Sequence, residues 1–128
     1  MRRGSEPFQY AIVRVVPRVE RGECVNVGVV FFCRPRRYLA ARIALDEARL
    51  AAFAPELDLA EVRAHLEAME RIAAGEEGSG PVARLDQSER FHWLVAPSST
   101  VIQTSPVHTG LCEDPEETHM RLLEKLVA

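Results

Sequence analysis

Residues 24–33, with the sequence CVNVGVVFFC, are the apolar run that most constrains the fold. Apart from Asn26 and Gly28, every side chain in this run is apolar, so both faces of a strand built from it need cover. The alternation expected of a strand with one solvated face is missing. We therefore predict a central strand with packed layers on both sides of the sheet.

Three further segments have the composition of strands. Residues 8–16 are rich in β-branched side chains, and residues 38–44 and 100–104 alternate in character. Short connections between the first three strands predict an antiparallel meander. The expected sheet is mainly antiparallel, has about four strands and is covered by helices.

Aspartates placed just before apolar stripes predict where the helices begin. Asp46, Asp58 and Asp114 each precede such a stripe and are suited to cap a helix N-terminus. Residues 90–95 are ambiguous, because their aromatic side chains suit a strand while Asp86 could cap a helix. We favour a short helix for this segment.

Length and composition indicate one domain of the α+β class spanning residues 1–128, since this length is close to the commonest domain size. The net charge of −3 provides no general attraction to nucleic acid or to an anionic membrane. No apolar run approaches the roughly 18 residues of a spanning helix. The three cysteines lack CxxC spacing and are expected to be small buried side chains in a reducing cytoplasm.

A charged residue inside the first strand is the strongest pointer to a site. Arg14 lies in the segment IVRVV, where an unpaired charge would be costly and must reach water or a partner. One interpretation gives Arg14 to an anionic ligand, in a polar pocket at the strand ends. The other pairs it with a carboxylate such as Glu23, which would only stabilise the turn. The full candidate set at the strand ends is Arg14, Arg18, Glu20, Glu23 and Asn26.

The histidines carry weaker signals. His108, followed by Thr109, lies in residues 105–110, which we predict to be a proline-containing turn, where the imidazole could act as a base or bind phosphate. A role in stabilising that turn is the alternative. His65 and His119 are expected to be solvated on helices. No histidine or cysteine spacing matches a metal site, so we expect neither a metal nor a cofactor.

Three arginines in one turn form the main cluster of basic side chains in the sequence. Arg34, Arg36 and Arg37 could contact nucleic acid or an acidic partner, although a solvated turn that protects the sheet edge explains them as well. Gly28 inside its strand indicates a close backbone approach, for which a packed neighbour is favoured over a ligand. Trp93 and Phe91 are expected in the core.

Two long segments resemble a bacterial family of unknown function. Residues 10–30 follow the pattern YxIVRxxPRxERGExxNVGVV, and residues 90–111 follow RFxWLxAPxSTVxQxSPVHTGL. The resemblance implies no activity, substrate or cofactor. Members of that family are often encoded beside a HipA-like kinase, which implies a partner or accessory role.

Three functional hypotheses follow from these observations. The first is a non-enzymatic binding or accessory protein that presents the strand-end cluster or the basic turn to a protein partner. The second is a small enzyme or anion-binding regulator in which Arg14 and Arg18 hold a small anionic ligand and His108 moves a proton. The third, nucleic-acid binding through the arginine turn, is disfavoured by the net charge.

Overall fold

A computed structural model describes residues 5–97 and 100–127 and has the expected α+β class. The five strands are β1 (Glu6–Val15), β2 (Val25–Cys33), β3 (Tyr38–Ile43), β4 (Ile102–Thr104) and β5 (His108–Cys112). The helices of the described chain are α1 (Glu47–Phe53), α2 (Leu59–Ala74), α3 (Gln87–Leu94) and α4 (Pro115–Leu126).

All strand pairs in the sheet are antiparallel, as predicted. The order is β3-β2-β1-β4, and β5 pairs with the same edge of β1 as β4 does. β1 therefore lies between β2 on one side and two short strands on the other. The meander of β1, β2 and β3 agrees with the prediction, but the sheet has one strand more than expected.

The additional strand corrects the prediction for residues 105–110. His108 is the first residue of β5, where it pairs with Tyr10, and does not lie in a turn. The segment resumes its pairing with β1 after Ser105 and Pro106, one residue out of register with β4. Residues 105–107 are an interruption without strand pairing, whereas residues 108–110 of the predicted turn are paired in β5.

Ser105 bridges the interruption between β4 and β5. Its Oγ accepts a hydrogen bond from the Ile12 N–H at 2.8 Å, and its own N–H donates to the Ile12 carbonyl at 2.8 Å. The hydroxyl also donates to the Pro106 carbonyl at 2.9 Å. Ser105 is buried, so its side chain satisfies a backbone group that water cannot reach.

Alternation along β2 divides the interior into two layers, as its composition predicts. Val30 and Phe32 join the larger core beneath α1, α2 and α3, to which Leu50, Leu66 and Phe91 contribute. Phe31 and Cys33 join a smaller cluster on the α4 side. The sheet is thus covered on both faces, because successive side chains of a strand point in opposite directions.

Aspartates begin all four described helices. The side chains of Asp46, Asp58, Asp86 and Asp114 each accept the backbone N–H of the residue three positions later. The short helix favoured for residues 90–95 is confirmed as part of α3. Local capping chemistry was therefore a reliable guide to the helices.

Three expectations about burial are wrong. Cys24 is exposed, because it precedes the start of β2, whereas Cys33 and Cys112 are buried as predicted, and all three thiols are free. The Trp93 side chain is 52% exposed, since Phe91 and Leu94 occupy the inward face of α3. His119, expected in solvent, is completely buried.

Gly28 marks a close approach by a neighbouring strand. A Cβ atom at this position would lie 2.5 Å from Ile43 Cδ1 and 2.7 Å from the Arg42 carbonyl oxygen of β3. The register between β1 and β2 also shifts here, because Val13 pairs with Gly28 while Arg14 pairs with Asn26. Packing by a neighbour and a β-bulge account for the glycine.

Candidate functional site

A cavity of about 350 Å³ lies at the end of the sheet where β2 begins. We call it the Arg14 pocket. Its lining comes from β1, from β2 and the residue before it, from α1 and from the end of α4. The lining residues are Arg14, Cys24, Val25, Asn26, Arg49, Leu126 and Val127.

Arg14 enters this pocket from the interior of β1, where it pairs with Asn26 on one side and Gln103 on the other. The residue is half-buried, and its Nε atom is buried without a hydrogen-bond partner in the described structure. An unsatisfied buried donor on a guanidinium is costly. Arg14 therefore has unused capacity to donate a hydrogen bond.

Among the described lining residues, Arg49 adds a second positive charge and no side chain adds a negative one. Arg49 lies on α1, and its side chain joins no ion pair with a described residue. Asn26 donates from Nδ2 to the Leu126 carbonyl at 3.1 Å, which fixes the end of α4 against β2. Arg14 and Arg49 are therefore the charged side chains among the described lining residues, and no carboxylate accompanies them there.

The remaining strand-end candidates lie outside the pocket lining. Arg18 forms an ion pair with Glu56 at 2.9 Å. Glu23 pairs with Arg21 at 2.5 Å, and within the described part of the chain it forms no ion pair with Arg14. Glu20 is exposed in the 3-10 turn at Val19–Arg21.

His108 and Thr109 are placed on the β5 edge of the sheet. Both side chains are exposed, and the His108 ring lies 5.2 Å from the ring of Tyr10 between centroids. Tyr10 and Arg14 are four positions apart on β1, a separation of about 13 Å along a strand. The structure does not bring His108 into the lining of the Arg14 pocket.

The arginine turn is exposed but partly engaged. Arg36 donates to the Glu113 carbonyl at 2.9 Å and lies 3.9 Å from Glu6. Arg34 and Arg37 line a different cavity, of about 430 Å³, beside the start of α3. The backbone carbonyl of Arg37 accepts a hydrogen bond from Gln87.

His119 is a key residue that sequence reasoning misplaced. Its Nε2 donates to the Val29 carbonyl at 2.7 Å, so the neutral ring accepts the Tyr38 hydroxyl at Nδ1, 2.8 Å away. Burial is the main cause that lowers the pKa of His119 to about 4; the Arg42 charge acts in the same direction, and the hydrogen bond to the Val29 carbonyl opposes it. Burial also raises the pKa of Tyr38. The pair anchors α4 to the sheet as a neutral unit.

Neither metal binding nor membrane insertion is indicated in the described residues. Residues 5–97 and 100–127 contain no group of three or more histidine, cysteine or acidic side chains arranged to hold a metal ion. Over the same residues, no helix has the length and apolar character needed to cross a bilayer.

Comparisons with known proteins identify a family. No curated protein and no solved structure matches the chain significantly. The family described as "Protein of unknown function (DUF3037)" matches residues 10–127, which include both segments noted in the sequence. The chain, with its arginine pocket and its buried histidine, therefore belongs to the DUF3037 family.

Proposed function

We propose that this protein is a cytoplasmic binding protein without a catalytic step, which recognises an anionic group of a partner protein in the Arg14 pocket. The observation that carries the proposal is the half-buried Arg14 guanidinium, whose Nε is buried and unpartnered among the described residues. A carboxylate or phosphate bound in the pocket would offset the charge of this half-buried guanidinium. Arginine suits both groups because its donors form a planar fork.

The rest of the lining is compatible with anion binding. Arg49 supplies a second cation, and Asn26 holds the pocket wall in place through Leu126. The described lining contains no histidine or carboxylate that could transfer a proton. A pocket with two arginines and an amide side chain is suited to holding an anion.

Two kinds of occupant are candidates for the Arg14 pocket. The family resemblance suggests a HipA-like kinase as one candidate partner, and an anionic side chain on its surface could enter the pocket. A free small anion is the second candidate, in which case the protein would act as an anion-binding regulator. The same pocket would serve both, so the experiment must separate them.

Titration with inorganic phosphate and with acetate, followed by NMR of the arginine Nε–H groups, tests the pocket. We expect the Arg14 signal to move, and Arg14→Gln to weaken binding about tenfold through loss of one charge-assisted contact. Arg21→Gln is the matched control, because Arg21 is exposed and pairs with Glu23 outside the pocket. An unchanged Arg14 signal, or equal weakening in both variants, would contradict the proposal.

Affinity capture from the source cytoplasm distinguishes the two kinds of occupant. Native mass spectrometry should show a protein retained by the wild type and by Arg21→Gln but not by Arg14→Gln. Retention of a small anion alone would favour the regulator. A protein retained equally by all three forms would mean that the partner binds elsewhere.

A further inference from the structure

A groove between α2 and β4 lies apart from the Arg14 pocket. It consists of two adjoining cavities, of about 300 and 240 Å³, whose linings share His65, Thr100 and Ile102. We call it the α2–β4 groove. None of the residues lining the Arg14 pocket contributes to it.

The floor of the groove is apolar. Val62, Met69, Leu94 and Ile102 line it, and each of these residues is largely buried. They belong to the larger core, so the groove is a place where that core comes close to solvent. An apolar side chain laid on this floor would gain hydrophobic burial without rearranging the fold.

Trp93 forms part of the wall and is 52% exposed. An indole left half in water has apolar area that a partner could cover. Tryptophan is among the residues most often responsible for binding energy at interfaces. Its position beside an apolar floor therefore indicates an interaction surface.

The strand beside the groove has an open edge. β4 pairs with β1, and no other strand of the described chain pairs with it. The Ile102 carbonyl on this edge already accepts the Thr100 hydroxyl at 2.8 Å, and the other backbone groups of the edge are those offered to an added extended segment. Such a segment would place alternate side chains toward the groove.

One end of the groove carries negative charge. Asp58 and Glu61 line it, and neither forms an ion pair with a described residue. The two residues begin α2, where Asp58 Oδ1 accepts the Glu61 N–H at 3.2 Å. No lysine or arginine lines either cavity among the described residues. The groove is therefore complementary to a basic side chain at this end.

We propose that the α2–β4 groove binds an extended segment of a partner protein, with alternating apolar side chains against Trp93 and the floor and a basic side chain near Asp58 and Glu61. This binding is independent of the Arg14 pocket. It combines strand addition, an apolar floor and a charge at one end, which together specify both the conformation and the composition of the segment.

Trp93 provides a direct readout, because it is the only tryptophan in the chain. The probe is the capped peptide Lys-Val-Thr-Val-Thr-Val, titrated into the protein while the indole emission is recorded. We expect a saturable shift of the emission to shorter wavelength as the indole leaves water. A peptide with proline in place of the central Val should bind much more weakly, because proline cannot extend a ladder.

The charge preference is tested with a peptide carrying Glu in place of Lys and with the double variant Asp58→Asn and Glu61→Gln. Asn and Gln retain the capping contacts of α2, so the variant should stay folded. The variant should bind the lysine peptide about two- to fivefold more weakly, as expected for exposed charge pairs. The matched control is Glu76→Gln with Glu77→Gln, which removes the same charge from an exposed loop.

Three results would overturn the proposal. One is the absence of any saturable emission change. Another is equal affinity for the two peptides with no effect of the double variant. The third is sedimentation of the protein alone as a dimer whose dissociation shifts the Trp93 emission, because the groove would then be occupied by a second copy.

Discussion

A single side chain, that of His119, connects α4 to the sheet. Both ring nitrogens are committed, to Val29 on β2 and to Tyr38 on β3, and the ring stacks on Phe31 with centroids 5.1 Å apart. A proton on Nδ1 would remove the hydrogen bond that the Tyr38 hydroxyl donates to this atom and would place a charge in the interior. The folded protein therefore keeps this ring neutral.

Because of this histidine, the free energy of unfolding should decrease as the pH is lowered. The folded pKa is about 4, below the unfolded value of 6.5, so the unfolded state binds the proton first as the pH falls. The neutral His119 ring makes its full contribution to the unfolding free energy above pH 6.5, and this contribution is lost as the pH falls toward 4. We expect the difference in unfolding free energy between the wild type and His119→Gln to shrink by about 3 kcal/mol between pH 7 and pH 4.

Urea unfolding at a series of pH values measures this difference. Comparison of two forms cancels the titration of the carboxylates, which both forms share. His65→Gln is the control, because it removes a histidine whose side chain is exposed on a helix. A constant gap between the wild type and His119→Gln would show that the ring is not held neutral.

Residue-level prediction succeeded where the signal was local. The aspartate caps were found because a side chain that bonds the backbone three positions later needs no distant partner. Arg14 was singled out because a charge between apolar neighbours in a strand must reach water or a partner, and its role in binding stays a prediction. His119 was missed because its partners, Val29 and Tyr38, are distant in sequence, although it lies on the same helix face as Leu122, Leu123 and Leu126.

Among the elements, the junction of β4 and β5 depends most on one contact. Proline cannot donate to a ladder, so the strand is interrupted at Pro106 and Ser105 supplies the missing acceptor for the Ile12 N–H. The sequence did not reveal β5, because pairing with β1 and not local composition makes residues 108–112 a strand. The exposed faces of His108, Thr109 and Leu111 hid any alternation.

Replacing Ser105 with alanine should destabilise the protein by about 1–3 kcal/mol, because the Ile12 N–H would remain buried without an acceptor. Chemical unfolding of the two forms measures the change. Ser79→Ala, in the loop after α2, should alter the unfolding free energy by less than about 0.5 kcal/mol. A loss at Ser105 no larger than at Ser79 would mean that the hydroxyl is dispensable.

Across the whole molecule, β1 is the strand on which the sheet depends. It pairs with β2 along one edge and with β4 and β5 along the other, whereas β5 is paired on one side within the described residues. The central position predicted for the apolar run of residues 24–33 is shared by β2 and β1. The sequence indicated which segment needed cover on both faces but not which strand would join distant parts of the chain.

Native-state hydrogen exchange should reveal this hierarchy. Amides in the middle of β1 and β2 should exchange only through global unfolding, because both of their edges are paired. Amides of β5 that face away from β1 should exchange faster by local opening. The measurement is exchange followed by NMR at several urea concentrations, and equal protection of β5 and β2 would contradict this order.

The position of β1 has a consequence for biosynthesis. The Ile12 N–H has its acceptor on Ser105, 93 residues later in the chain. A ribosome needs roughly 5–20 s to add that length of chain. During this interval one flank of the nascent hairpin stays open and apolar, so premature termination or stalled translation would leave an aggregation-prone fragment. Growth at a temperature that slows elongation should lower the yield of this protein more than the yield of a fold whose strands pair in chain order. Removal of a chaperone that shields exposed strands should have the same effect.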